Sequence, residues 1–358
     1  MRLLEFQYIG SGWNLNPIQF QPVNLLVGKN AVGKSRLIQG LSNAVQYILQ
    51  ATDNNNDTSF GAIFKFMSEK EYFYYHFSYI KGKVVREGLV KENQDNVLES
   101  LLERDAEATF LHGEVINPPD DKLVLHVRRD TVQYPYFEKI VSWAQSVCGH
   151  RFNEMDYAGD YGTYSSFSKF DSNLFDIVKS LPADAMERII KQANVLDYPI
   201  QSIVPFEYGD KLKIVYFNER EVQGGLMYFQ LSKGMFRALY LLIYMEYLAN
   251  IKKPSMLLVD DLCEGLDYDR STRLGRIVFD FCLQHNIQLI ASSNDSFLMD
   301  VVDLKYWNIL QRKGSVIEGI NHINHPELFD DFEFTGLSNF DLFSSDYIAR
   351  HLNDKVDE

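Results

Sequence analysis

Cysteine is scarce in this chain: 358 residues hold three, Cys148, Cys263 and Cys282. That is too few and too scattered for a disulfide frame or a cysteine metal knot, so they read as reduced core residues. Long apolar runs are missing too. No stretch approaches the ~20 residues needed to cross a bilayer, and Met1-Arg2-Leu3-Leu4-Glu5-Phe6 lacks a signal-peptide pattern. A cytoplasmic location with no membrane partner is the expectation. Positive charge is in deficit, with 35 Lys and Arg against 49 Asp and Glu and a net charge of −14. This disfavours strong nonspecific nucleic-acid binding, which needs basic patches to displace counterions. Arg128-Arg129 could form a local contact with nucleic acid, although a solvated strand end is the simpler reading. No internal repeat and no sustained heptad pattern is detectable, so neither a solenoid nor a long coiled coil is expected.

What is present is a normal globular composition, 46% hydrophobic and 23% charged. It suffices for a large core and suggests one main domain with an inserted lobe. The 25 Phe and 21 Tyr spread along expected hairpins and helices without basic interleaving, so they read as core rather than as a base-stacking platform.

The sharpest signal runs from Val23 to Ile38. It contains Gly28-x-x-x-x-Gly33-Lys34-Ser35 between a short apolar run, Asn24 to Val27, and Leu37, Ile38 and Leu41 at helical spacing. The glycines permit backbone torsions that turn consecutive N–H groups inward around phosphate oxygens, and the helix opening at Lys34 adds its positive end. Gly28, Lys29, Asn30, Ala31, Val32, Gly33, Lys34, Ser35 and Arg36 are therefore expected to bind a nucleotide. Lys34 is expected to reach the β- and γ-phosphates and the Ser35 hydroxyl to sit on Mg2+.

Along the chain, a strand is expected at Met1–Tyr8 with a hairpin partner at Ile18–Phe20, and a helix from Lys34 to about Leu49, ended by a polar surface loop at Thr52–Thr58. A meander follows at Ala62–Phe66, Tyr72–Tyr79 and Lys83–Leu89. Helices are expected at Tyr136–Val147, Ser172–Ser180 and Ala183–Val195, and a hairpin from Lys211–Phe217 to Leu226–Phe229. Leu231-Ser232-Lys233-Gly234 opens a helix to about Ala249. Met256 to Asp261 and Gln288 to Asp295 are apolar strands ending in polar groups, which is where a parallel α/β sheet places its site. Three segments follow: 1–92 with the glycine loop and meander, 93–225 as an inserted helical and hairpin lobe, and 226–358 with the later motifs.

In this order, the glycine loop, Leu231-Ser232-Lys233-Gly234, Asp260-Asp261, Gly265-Leu266-Asp267 and Ser293-Asn294 resemble an ABC-type ATPase. Within that class the chain resembles bacterial AAA family ATPases whose heads are similar to those of RecF and OLD-type enzymes, over residues 1–45 and about 225–350, including the Phe334–Asp341 run. The resemblance implies an α/β P-loop NTPase fold, a mixed sheet flanked by helices with antiparallel β-hairpins and an inserted helical lobe. Asp260 then matches the aspartate that holds Mg2+. Asp261 stands where such ATPases usually carry a glutamate that positions and deprotonates the attacking water. Its competing readings are a group hydrogen-bonded around the Mg2+ ligands or a helix N-cap. Ser232 and Gly234 match the signature motif that meets the γ-phosphate of ATP on the other protomer, against a plain serine N-cap. Asn294 falls where a switch histidine is usual, and it cannot change charge near neutral pH. Asp267 matches an aspartate that communicates across the dimer, against a simple turn residue. Cys263 and Glu264 read as helix-start residues.

The resemblance thus implies an ATP hydrolase, with slow turnover expected from the departures at Asp261 and Asn294, that dimerises head to tail around ATP and Mg2+ and switches a separate effector protein in phage defence or DNA-damage handling. A nucleotide-dependent scaffold with little hydrolysis, and a RecF-like repair ATPase, are the alternatives. A transporter subunit fits poorly with the long hairpin-rich separation of Ser35 from Ser232.

Overall fold

The structure is a computed structural model that describes residues 1–50, 59–151, 174–208, 212–345, 347, 348 and 351. The polar loop expected at Thr52–Thr58 lies outside the described residues. Three strands carry the centre of the fold: β3 (Val23–Val27), β14 (Ser255–Asp260) and β15 (Ile287–Ser292), every residue of which is buried. They pair in parallel in the order β14-β15-β3. A strand covered on both faces reads as a continuous apolar run. The period-2 alternation sends successive side chains into two cores. Leu25, Val27, Leu257, Val259, Leu289 and Ala291 face one, while Leu26, Met256, Leu258 and Ile290 face the other.

The same sheet continues into an antiparallel wing. β1 (Arg2–Gly10) lies between β2 (Asn14–Gln19) and β4 (Phe60–Ser68), followed by β5 (Glu71–Ile80) and β6 (Lys83–Glu92). Here one face is wet, so the pattern alternates: Phe73, Tyr75, Phe77 and Tyr79 point inward from β5. The aromatic residues of this wing form core, with Phe64 and Phe66 packed edge-on against Trp143. β16 (Trp307–Lys313) pairs parallel with β3, and β17 (Val316–Asn321) joins it to β2.

Residues 93–225 divide in two. β7 (Leu98–Arg104), β8 (Thr109–Leu111) and β9 (Glu114–Val115) extend the meander from β6. The short α2 (Val124–Val127) and α3 (Pro135–Gln145) belong to the core on that side, with α1 (Lys34–Ile48). β10 (Val147–Arg151) then lies parallel to β14 at the sheet's far edge. Beyond it, α4 (Leu174–Ser180), α5 (Ala183–Val195) and a three-stranded sheet of β11 (Ile200–Tyr208), β12 (Leu212–Glu219) and β13 (Leu226–Met227) join the opposite core. β11 was not apparent in the sequence. Arg128-Arg129 is not a strand end: it follows α2, and Arg129 makes two 2.6 Å hydrogen bonds to Glu138 on α3.

The second core is organised around α6 (Lys233–Ile251), which is buried on every side from Ala238 to Glu246. Glu246 is fully buried, and Arg188 of α5 grips both its oxygens at 2.8 Å. α7 (Tyr268–Gln284) and α8 (Ser296–Val301) cover the same face, and α9 (Pro326–Glu333) and α10 (Asn339–Ser344) complete it. Cys263 and Cys282 are buried free thiols and Cys148 is half-buried. Among the described residues, no helix is long and apolar enough to cross a membrane.

Candidate functional site

The site lies at the C-terminal ends of β14, β15 and β3. The loop from Gly28 to Gly33 leaves β3 and turns into α1, and its glycines are sterically required. A Cβ on Gly33, where φ is +117°, would stand 2.2 Å from Ile317 Cδ1. One on Gly28 would stand 2.9 Å from the Leu310 carbonyl oxygen. Ala31 is left-handed too, at φ 66°. Lys29, Asn30, Ala31, Ser35 and Arg36 are exposed and Val32 is half-buried. The Arg36 guanidinium lies 6.0 Å over the Trp13 ring.

Lys34 is only 6% exposed. Its Nζ donates to the carbonyl oxygens of Gly28 at 2.6 Å and Lys29 at 3.4 Å. Burial lowers its pKa, while the Asp261 and Asp260 carboxylates pull in the opposite direction. Ser35 Oγ donates to Asp260 Oδ1 at 3.1 Å across 225 residues of sequence. In-register pairing brings them together: Val259 sits opposite Ala291, and Ala291 opposite Leu25.

Asp261 follows in the left-handed region at φ 56° and is half-buried. Burial, then Asp260 and Glu264, raise its carboxyl pKa against Lys34 and Arg237. It is not a helix N-cap. Asp267 caps α7 instead, accepting from the Arg270 N–H at 3.0 Å. Cys263 and Glu264 likewise do not start the helix. They sit in the turn before it, where the left-handed Cys263 (φ 73°) and Gly265 (φ 81°) interrupt helical torsions.

α6 packs its first turn against this segment. A Cβ on Gly234 would stand 2.7 Å from the Gly265 carbonyl oxygen, and Arg237 Nη1 donates to Glu264 O at 2.9 Å and Oε2 at 2.8 Å. Ser232 is exposed, and its Oγ accepts from the Met235 N–H at 3.3 Å, so it does cap α6. Asn294 is exposed beyond β15, and the next residue, Asp295, caps α8. Lys34, Ser35, Asp260 and Asp261 thus form one cluster, with Ser232 and Gly234 at the start of the adjoining α6. Sequence reading missed Arg237 and Ser292. Neither belongs to a motif, and only their contacts single them out.

The donor set suits ATP and Mg2+. The glycine loop leaves no room for a Cβ at Gly33, an ammonium group stands at its base, and Ser35 and Asp260 offer the hard oxygens that Mg2+ prefers. A glycine loop between a parallel strand and a helix, facing carboxylates two strands away on a mixed sheet with an antiparallel wing, defines a P-loop nucleotide-binding domain. The family model described as "AAA domain, putative AbiEii toxin, Type IV TA system" matches residues 23–300, and the chain belongs to that family. Comparison with curated proteins gives no match. Among solved structures, the chain is similar to the Smc head bound to the C-winged-helix domain of ScpA, with a TM-score of 0.49 and 11% identity over 89% of this chain and 97% of that one. It is also similar to the Smc head domain with an extended coiled coil bound to the C-terminal domain of ScpA derived from Pyrococcus furiosus, with a TM-score of 0.45 and 10% identity over 92% and 99%.

Proposed function

We propose that the chain is an ATP hydrolase acting as a switch: two copies close head to tail around ATP and Mg2+, and hydrolysis releases them. The observation that carries this is the convergence of Lys34, Ser35, Asp260 and Asp261 beside a helix whose opening serine, Ser232, is left exposed. Backbone N–H groups from Gly28 to Ser35 bind the phosphates, and Lys34 leaves its carbonyl partners to pair with the terminal ones. Ser35 and Asp260 hold Mg2+, which neutralises charge developing on the phosphate oxygens. Asp261 takes a proton from the attacking water. Its side chain is one methylene shorter than glutamate, and misplacement by ~1 Å can cost 10²-fold, which supports slow turnover. Ser232 of each copy caps the nucleotide held by the other.

The output lies in a separate partner. The family description, an AAA domain with the words "putative AbiEii toxin, Type IV TA system", and the resemblance to stand-alone bacterial ATPases support a role in phage defence or DNA-damage handling. Ser232→Arg tests the assembly: it is expected to preserve binding of a fluorescent ATP analogue while abolishing the ATP- and Mg2+-dependent dimer in sedimentation. A variant that dimerises like wild type refutes the head-to-tail arrangement. Asp261 and Asn294 favour a second reading, a nucleotide-dependent scaffold. Equal near-zero phosphate release by wild type and Asp260→Ala would select it.

A further inference from the structure

Ser292, the last residue of β15, is fully buried and cannot itself touch a nucleotide in the site. Its Oγ nevertheless lies 2.6 Å from Asp260 Oδ1 and 2.9 Å from the Asp261 backbone nitrogen. A hydroxyl has one proton and two lone pairs. An ionised carboxylate can only accept and an N–H can only donate, so the chain of hydrogen bonds has one direction, from Asp261 N–H to Ser292 Oγ–H to Asp260 Oδ1. The Ser292 carbonyl oxygen also accepts from the Leu262 N–H at 2.8 Å. Both peptide groups flanking Asp261 are thus held by the same residue.

We infer that Ser292 is a positioning residue for both carboxylates of the site, fixing the rotamer of Asp260 toward the metal and the left-handed turn that aims Asp261. This rests on the proposed ATP and Mg2+ reading and extends it to a residue outside the recognised motifs. Two hydroxyls now share Asp260 Oδ1, those of Ser35 and Ser292. The Ser292 contact is the shorter of the two, 2.6 Å against 3.1 Å, and it alone ties that carboxylate oxygen to the residue that also holds both peptide groups of Asp261. Groups that orient a metal ligand in this way typically change metal affinity 10–100-fold when removed. The competing reading is a satisfied core serine with no bearing on the site.

The two readings separate on metal binding. In the full chain with a non-hydrolysable ATP analogue, Mn2+ binding is measured by EPR for wild type, Ser292→Ala and the near-isosteric Ser292→Cys, whose S–H is a poor donor. Nucleotide affinity is measured in parallel in EDTA. The carbonyl contact to Leu262 survives both substitutions and keeps the turn attached. The expected result is Mn2+ affinity weakened about 10–100-fold in both variants, with metal-free nucleotide affinity unchanged. Mn2+ affinity unchanged in either variant overturns the assignment, as does an equal loss in EDTA, which marks a merely structural effect. Wild type that binds nucleotide but whose variants behave like it overturns this inference alone. Wild type that binds no nucleotide overturns the proposed function together with it.

Discussion

Lys34→Ala is expected to weaken ATP binding by about three orders of magnitude. The ammonium is almost wholly buried and bonded to the Gly28 and Lys29 carbonyl oxygens, with the Asp260 and Asp261 carboxylates acting on its charge. It therefore has two electrostatic roles. It supplies the positive end for the phosphates, and it offsets two negative groups that would otherwise repel them. A unit charge pair ~4 Å apart near a protein surface is worth about 4 kcal/mol, and each 1.4 kcal/mol is about tenfold in affinity. The assay is titration with a fluorescent ATP analogue, in EDTA and again with Mg2+. Lys34→Met serves as a control that retains an apolar stem, and it is expected to lose affinity to the same degree. A dissociation constant within threefold of wild type, in a variant with an unchanged melting temperature, would refute the electrostatic account.

Removing Arg188 isolates the fully buried Glu246 and unties α5 from α6. Arg188→Met is expected to cost about 3 kcal/mol, the low end for a broken buried pair because the arginine itself is half-exposed. Urea unfolding measures this, and an unchanged midpoint contradicts it. Glu87, fully buried beneath Tyr75, the Val124 N–H and Arg104, has its pKa raised by burial to about 7 from 4.5. Between those values the folded chain holds a proton that the unfolded chain has lost. Its contribution is complete below pH 4.5 and fades as pH rises through 7, by at most about 1.4 kcal/mol per unit. Glu87→Gln should remove that slope, and parallel stability–pH curves for the two proteins would show otherwise. Asp261 must be ionised to accept a proton, and its pKa is raised, with Arg237 opposing the rise. Hydrolysis should therefore fall on acidification, and Arg237→Met should move that acid limb to higher pH; superimposable pH–rate profiles would exclude the coupling.

Much of the fold was legible where a short segment imposes its own geometry. The short, largely apolar runs within Val23–Val27, Ser255–Asp260 and Ile287–Ser292 are parallel strands because a strand covered on both faces is apolar along most of its length, and they are too short for a buried helix such as α6. β7 was harder to read. Leu98–Arg104 has neither an apolar run nor clean alternation, and it is a strand because β6 presents it with an unpaired edge. β10 is similar: its place beside β14 follows from pairing between residues more than a hundred positions apart.

By itself the sequence determined the glycine loop, since the positive φ of Gly28 and Gly33 is demanded within one turn of chain, whereas the close neighbours Leu310 and Ile317 come from distant strands. It likewise determined that polar groups would crown the apolar strands. Only the tertiary structure decided which of those groups meet. Ser35 reaches Asp260, and Ser292 spans Asp260 and Asp261, because three strands pair in one register, and a slip of one residue would turn each side chain to the opposite face. The same holds for Arg237 and Glu264, brought into contact by the way α6 seats its glycine against the turn after β14. Local backbone geometry is written in a few neighbouring residues, whereas register and helix seating are settled by the whole core at once.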